Sequence, residues 1–386
     1  MTAALAYRPV AAQPKPFLRS DPVRVSFMID RLSRAGTETQ LLALLRSLDP
    51  AKVQPSLVLL DGEDDLSRAL EPSNCPIIRL GLKKLFSVHA ASAARALRSF
   101  WREHRPDLLQ VYFLDAAYFG APLAKLSGIQ KVVRVRNNLG YWLTRKHQIL
   151  GRMVRPFVDV TLTNTMAGKH TLLEKEGYAD HQVDVLENGV DLGRFKRFML
   201  PDTSRARVRV GCVANLRAVK NIDGLMRAAK IALARFPQLV FEVVGDGEER
   251  DQLECLRTHL GLEDRFRLRG SIEDVPGFLR SVDIAVLASH SEGMSNAILE
   301  YMAASRAVIA TDVGANRDLI RSGKDGLIIP PGDEDALVEA LGQLLTNPLR
   351  AAAFGASARK RVESDFSREA MCRRFEEFYR GLVPVR

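Results

Sequence analysis

A chain of 386 residues, 46% hydrophobic and 26% charged, is long enough for two domains of ordinary size and has a globular composition, which excludes a disordered or fibrous protein. Its four cysteines, Cys75, Cys212, Cys255 and Cys372, lack metal-type pairing, so neither a disulfide framework nor a zinc site is expected and a reducing cytoplasm suits the chain. A formal charge of +10 asks for an acidic partner, whether a phosphate-bearing substrate, an anionic membrane face or nucleic acid.

In chain order, residues 1–21 have no continuous apolar run and read as a short disordered lead. No apolar run anywhere approaches the ~18 to 20 residues that span a bilayer. From residue 22 to 195, short runs rich in β-branched residues ("VRVSFMI", "PSLVLL", "DLLQVYF", "KVVRVR", "DVTLTN", "QVDVLEN") alternate with helical patterns such as "TETQLLALLRSL" and "ASAARALRSFWREH". That alternation predicts βαβ units and a mostly parallel sheet. The period lapses in the basic, polar stretch around 196–206, which reads as a linker. It restarts over 207–365 with "RVRVGCVA", "LVFEVVG", "FRLRG", "DIAVLAS", "AVIAT" and "DGLIIP". The last segment, 366–386, reads as a helix packing back towards the first domain. The expected fold is α/β, with two doubly wound domains in tandem and a ligand cleft between them.

The stretch "SEGMSNAILE" follows the predicted strand "DIAVLAS" and holds Glu292 and Glu300. With Glu292 in the loop and Glu300 inside the following helix, two carboxylates bracket a helix N-terminus, at the strand edge where open α/β sheets bind ligands. Gly293 permits close backbone approach, and Ser295 or Asn296 can cap the helix beside a phosphate. Taken alone, the pair is read more simply as an ordinary helix-surface acid at Glu300 and a partner for the helix dipole at Glu292. "GDG" at 245–247 lacks the third glycine of a dinucleotide fingerprint and reads as a strand-to-helix turn. "GEDDL" reads as an acidic turn rather than a metal site, and no metal is expected.

Four C-terminal pieces, "VANLRAVKNIDGLMRA", "FEVVGDGEERDQLE", "RFRLRGSIEDVPGFLRSVDIAVLASHSEGMSNAILEYMA" and "AVIATDVGANRDLIRSGKDGLIIPPGDEDALVEAL", resemble in order the retaining glycosyltransferases of family 4, whose fold is GT-B. "AGTETQLLALLRSL" resembles the family's glycine-rich loop and first helix, and "LENGVDLGRF" its segment leading to the linker. The resemblance implies a nucleotide-diphosphate sugar as donor and co-substrate, held mainly by the C-terminal domain. Transfer would retain the anomeric configuration, by front-face attack on an acceptor held by the N-terminal domain.

On that resemblance Glu300 accepts hydrogen bonds from the ribose hydroxyls and Glu292 faces the donor sugar, with Gly293, Met294, Ser295 and Asn296 in the donor-binding loop. Lys220 matches the phosphate lysine. Asn215 stands where an arginine is common, so Arg217 is the candidate second cation, beside the plain alternative of a solvated loop arginine. Gly36 would approach the diphosphate from the first domain, although Ala35 occupies the place of a usual second glycine. Lys220, Arg217 and helix dipoles would do the work of a metal ion.

Residues 131–157 carry seven Lys or Arg and no Asp or Glu. Arg136 and Asn137 stand where many relatives have a histidine near the donor sugar, and Tyr141 and Trp142 follow. The segment resembles transferases of polysaccharide or lipid-linked glycan assembly, so these four residues are candidates for the acceptor side. An anionic membrane surface or a lipid diphosphate suits the stretch, and so does a solvated basic face. The expected place is the cytoplasm, peripheral at the inner membrane face. Two other functions stand beside this one. A nucleotide-sugar 2-epimerase shares the fold. A nucleic-acid-binding protein is suggested only by the charge, without a recognition helix, zinc finger or RNP motif.

Overall fold

The computed structural model describes residues 21–61, 64–85, 87–137, 145–196 and 198–383. All of the expected lead except Asp21, together with Tyr141 and Trp142, lies outside the described residues. The chain divides into two compact units, one of Met1–Glu187 with Arg368–Arg386 and the other of Asn188–Ser367.

The first unit is built on seven parallel strands: β1 (Val23–Ile29), β2 (Val53–Leu59), β3 (Ile77–Arg79), β4 (Leu108–Tyr112), β5 (Lys131–Val135), β6 (Val160–Thr163) and β7 (Val183–Val185). Their order is β3-β2-β1-β4-β5-β6-β7. A parallel sheet covered by helices must bury both faces, which is why every residue of β1 except Arg24 is buried. Val25, Phe27 and Ile29 enter one core cluster and Met28 the other, as the two-residue period of a strand requires. The C-terminal helix Arg368–Leu382 belongs to this unit. Met371, Tyr379 and Val383 are buried in the Phe27 cluster, each adding roughly 1.5–3 kcal/mol at most. The Tyr379 hydroxyl donates to Gln110 Oε1 at 2.9 Å, and Glu376 receives the Asp49 N–H at 3.0 Å and Lys52 Nζ at 2.9 Å. Asp64, from the acidic turn, caps the helix Asp65–Leu70 by accepting the Ser67 N–H at 2.8 Å.

The second unit has six parallel strands, β8 (Val208–Val213), β9 (Leu239–Val244), β10 (Phe266–Leu268), β11 (Ile284–Leu287), β12 (Ala307–Thr311) and β13 (Leu327–Ile329), in the order β10-β9-β8-β11-β12-β13. The order reverses between β8 and β11, which are neighbours with Ile284 opposite Val210. That reversal is where ligands of open α/β sheets bind.

The stretch expected as a linker is different in the structure. The unit boundary falls at Glu187/Asn188, and residues 188–206 lie along the second unit. Phe195 is 1% exposed in that unit's core, Arg359 Nη1 donates to its carbonyl at 2.8 Å, and the Thr203 hydroxyl donates to Leu344 O at 2.7 Å. Phe195 and Phe198 anchor a segment whose lack of period hid its burial.

Candidate active site

Two loops leave the carboxyl edge of the second sheet side by side. After β8 the chain runs through Ala214–Arg217 into the 3-10 turn Ala218–Lys220. Asn221 then adopts a left-handed conformation, φ 53°, and starts the helix Ile222–Arg235. Its side-chain amide donates to Ala288 O at 3.1 Å, and the His290 N–H donates to Val219 O at 2.8 Å, so this loop is stitched to the one after β11.

That second loop presents Glu292. Lys220 Nζ donates to its Oε1 at 2.6 Å and the Ser289 hydroxyl donates to the same oxygen at 2.7 Å. The Lys220 and Glu292 side chains are 22% and 9% exposed, so the pair is sheltered yet open on one side. The expected phosphate cation and sugar-facing carboxylate are thus one bonded unit. The Thr311 hydroxyl fixes the loop from below by donating to Ser289 O at 2.7 Å. Gly314, at φ 55°, lets the next loop in, because a Cβ there would stand 2.0 Å from Glu292 O.

Past the loop, Ser295 caps the helix Asn296–Ala303 by accepting the Ile298 N–H at 3.4 Å. Asn296 Oδ1 accepts from Asn188 Nδ2 at 2.9 Å. The Met294 side chain turns into the core and its sulfur accepts the Asn188 N–H at 3.2 Å. Glu300 lies inside this helix with no hydrogen-bond partner for its carboxyl among the described residues. Burial pushes its pKa up to about 7, opposed by Arg194. A half-buried carboxylate without a donor can accept hydrogen bonds from a ligand's hydroxyl groups.

Asn215 and Arg217 are exposed on the β8 loop, and the Arg217 guanidinium has no ion-pair partner among the described residues. The "GDG" glycines serve that loop. A Cβ on Gly245 would stand 1.9 Å from Ala214 O and one on Gly247 2.4 Å from Leu216 O, while the Leu216 N–H donates to Asp246 O at 3.1 Å. They allow close backbone approach in a strand-to-helix turn.

The remaining candidates lie in the first unit. Gly36 is the first residue of the helix Gly36–Ser47, whose first turn already holds a buried carboxylate, Glu38, bonded to the Ser33 hydroxyl at 2.7 Å. Arg136 is buried and its Nη2 donates to Glu176 Oε1 at 2.8 Å, with Asn137 beside it, half-buried. Sequence reasoning missed Ser289, Arg194 and Gly314. All three stood in segments already singled out, but their contacts depend on neighbouring loops.

Two family models match the chain: Glycosyl transferases group 1 over residues 205–361 and Glycosyltransferase Family 4 over residues 34–194. The lipopolysaccharide core biosynthesis glycosyltransferase LpsE of Rhizobium meliloti is 34% identical over 140 residues, 36% of this chain and 41% of that protein. The UDP-Gal:alpha-D-GlcNAc-diphosphoundecaprenol alpha-1,3-galactosyltransferase of Escherichia coli is 26% identical over 305 residues, 73% of this chain and 76% of that one. Among solved structures, Anabaena HepE in complex with UDP superposes with a TM-score of 0.81 at 18% identity, covering 92% of this chain and 99% of HepE. With both units matched and the two parallel sheets in place, the chain belongs to the family 4, group 1 glycosyltransferases of GT-B fold.

Proposed function

We propose that the protein moves a sugar, with retention of configuration, from a nucleotide-diphosphate sugar to a glycan or lipid-linked acceptor in polysaccharide or cell-envelope assembly. The observation that carries this reading is the Lys220–Glu292–Ser289 unit at the β8/β11 edge, followed in the next helix by Glu300, whose carboxyl has no hydrogen-bond partner among the described residues. Glu300 takes the ribose hydroxyls. Lys220, Arg217 and the N–H groups opening the helix Asn296–Ala303 neutralise the diphosphate as it leaves, so no metal is required. Glu292, held by Lys220 and Ser289, faces the donor sugar, and the departing diphosphate takes the acceptor proton.

HepE structures hold UDP, UDP with glucose, and UDP-glucose, which supports a UDP-sugar as donor here. The relatives are named as transferases of lipopolysaccharide, diphosphoundecaprenol-linked and phosphatidylinositol-linked glycans, which supports a lipid-linked or envelope acceptor and does not favour the epimerase. Among the described residues no helix is long and apolar enough to cross a membrane. We place the enzyme in the cytoplasm, held at the inner face by charge, with no nucleic acid partner.

A panel of nucleoside diphosphates read by thermal shift tests the donor site, with UDP expected to raise the melting temperature most. Incubation with the UDP-sugar alone should release free UDP slowly. Formation of an epimer, or no shift with any nucleoside diphosphate, overturns the reading.

A further inference from the structure

The basic segment builds a pocket that the donor chemistry does not use. Arg134 on β5 and Arg136 just beyond it are two residues apart, so they share one face of the strand at its carboxyl end. Each is only 5% exposed. In a covered parallel sheet that face is ordinarily apolar, because a buried charge is costly without a counter-charge. Here the two arginines line a shallow depression open to solvent. Its walls come from the helices Arg145–Val154 and Met166–Glu176 and from the turn between β5 and β6.

The charge of this depression is one-sided. Arg152, Arg155 and Lys175 join the two buried arginines, and Glu176 is the single carboxylate among the lining residues. Arg155 is spent on structure: it donates to Gly177 O at 2.7 Å and Gln182 Oε1 at 2.8 Å and stacks 4.1 Å over the Tyr178 ring. Arg136 is held by Glu176, and Arg134 Nη1 donates to the Tyr178 hydroxyl at 3.3 Å. Tyr178 and Glu176 therefore orient two planar guanidinium groups in a concave, sheltered place, while Arg152 and Lys175 stand exposed at the pocket. Burial lowers the Arg136 pKa and Arg134 adds to the effect, against Glu176. An entering anion would relieve both.

We propose that this pocket binds a phosphate or diphosphate group of the acceptor. Guanidinium forks match phosphate oxygens in pairs, and the excess of cations favours a multiply charged group over a single carboxylate. The pocket opens at the carboxyl end of β5, the edge at which such sheets hold ligands. The inference rests on the transferase reading only in identifying the bound group with the acceptor. Two sources share the chemistry, a lipid diphosphate and a soluble sugar phosphate.

Calorimetric titration of the full chain, with UDP present to fill the second unit's site, tests this with inorganic pyrophosphate as the probe. Wild type should bind it, and the doubly substituted Arg152→Gln, Lys175→Gln protein, altered only at exposed positions, should bind it about tenfold more weakly with UDP affinity unchanged. Arg136→Gln should lose at least as much. Absence of pyrophosphate binding, or equal binding by all three proteins, overturns the proposal. Farnesyl diphosphate binding more tightly than pyrophosphate supports it with a lipid source, and glucose 1-phosphate binding more tightly supports it with a soluble one. Failure of UDP itself to bind would sink the transferase reading and leave the pyrophosphate result standing, since the substitutions alone assign that site.

Discussion

The two sheets share a topology and differ in what they place at the point where strand order reverses. In the second unit that point, between β8 and β11, carries Lys220 bonded to Glu292, with Glu300 one helical turn inside the next helix. In the first unit the reversal lies between β1 and β4. There Asp30 follows β1, Asp115 opens the helix Leu114–Leu126, and Glu38 is buried nearby. The first unit's cations gather instead at the end of β5. Identical strand order thus fixes where a ligand can sit, and the loops decide its charge. Carboxylates at a reversal point suit hydroxyl groups, whereas the second unit's offers a cation and two carboxylates of different character.

The largest effect is expected at Glu292. Its replacement by Gln should lower kcat about 100-fold or more while nucleotide affinity changes little, since its proposed partner is the sugar. Equal losses in UDP binding would move Glu292 onto the nucleotide.

Glu300→Ala should weaken UDP binding by about 1.5 to 3 kcal/mol, the worth of a charged acceptor to the ribose. Its pH dependence sharpens the point. The folded pKa is raised from the ordinary 4.5 to about 7, so the ionised form that accepts both hydroxyls is filled only above that value. UDP affinity of the wild type should rise from pH 6 to about 8, and that of Glu300→Gln should stay flat over the same range. A flat wild-type profile would remove the burial argument. A smaller loss, about tenfold, is expected for Lys220→Ala, and it should fall on UDP far more than on UMP because the second phosphate is the group neutralised. Equal losses for both ligands would place Lys220 elsewhere.

Much of this was legible in the residues. All six strands of the second unit and six of the seven in the first announce themselves as apolar runs. The exception, β3, has three half-buried or exposed residues at a sheet edge and too short a span for any period. The Glu292–Glu300 segment was readable because a strand, a glycine and a helix cap fall in sequence. The Lys220–Glu292 bond was not, since the partners are 72 positions apart and meet only through the pairing of β8 with β11. Gly314 looked like any loop glycine until Glu292 O was found against it. Arg134 was equally hidden: inside a strand it counts against burial, and its bond to the Tyr178 hydroxyl comes from 44 positions away.

Asp30 gives the smallest effect and tests the acidic side of the comparison. Burial and then Asp115 push its pKa up to about 7, with Glu38 adding and Arg31 and the Ala116 N–H opposing. The folded state therefore binds a proton more tightly than the unfolded chain, where the value is near 3.8. Between those values the folded state carries the extra proton, so stability falls as pH rises towards 7 and the loss is complete above it. Asn at this position keeps an oxygen for the Ala116 N–H, now 3.1 Å from Asp30 Oδ1, and carries no charge. Asp30→Asn should hence gain about 1 to 2 kcal/mol over wild type at pH 8, an advantage that shrinks at pH 5 as the window towards 3.8 closes, and leave UDP affinity unchanged. Denaturant midpoints at the two pH values read the difference directly. Equal midpoints for the two proteins at pH 8 would mean that Asp30 is already relieved by water or by the nearby cation. Altered UDP affinity would mean that the first unit's reversal point takes part in holding the donor.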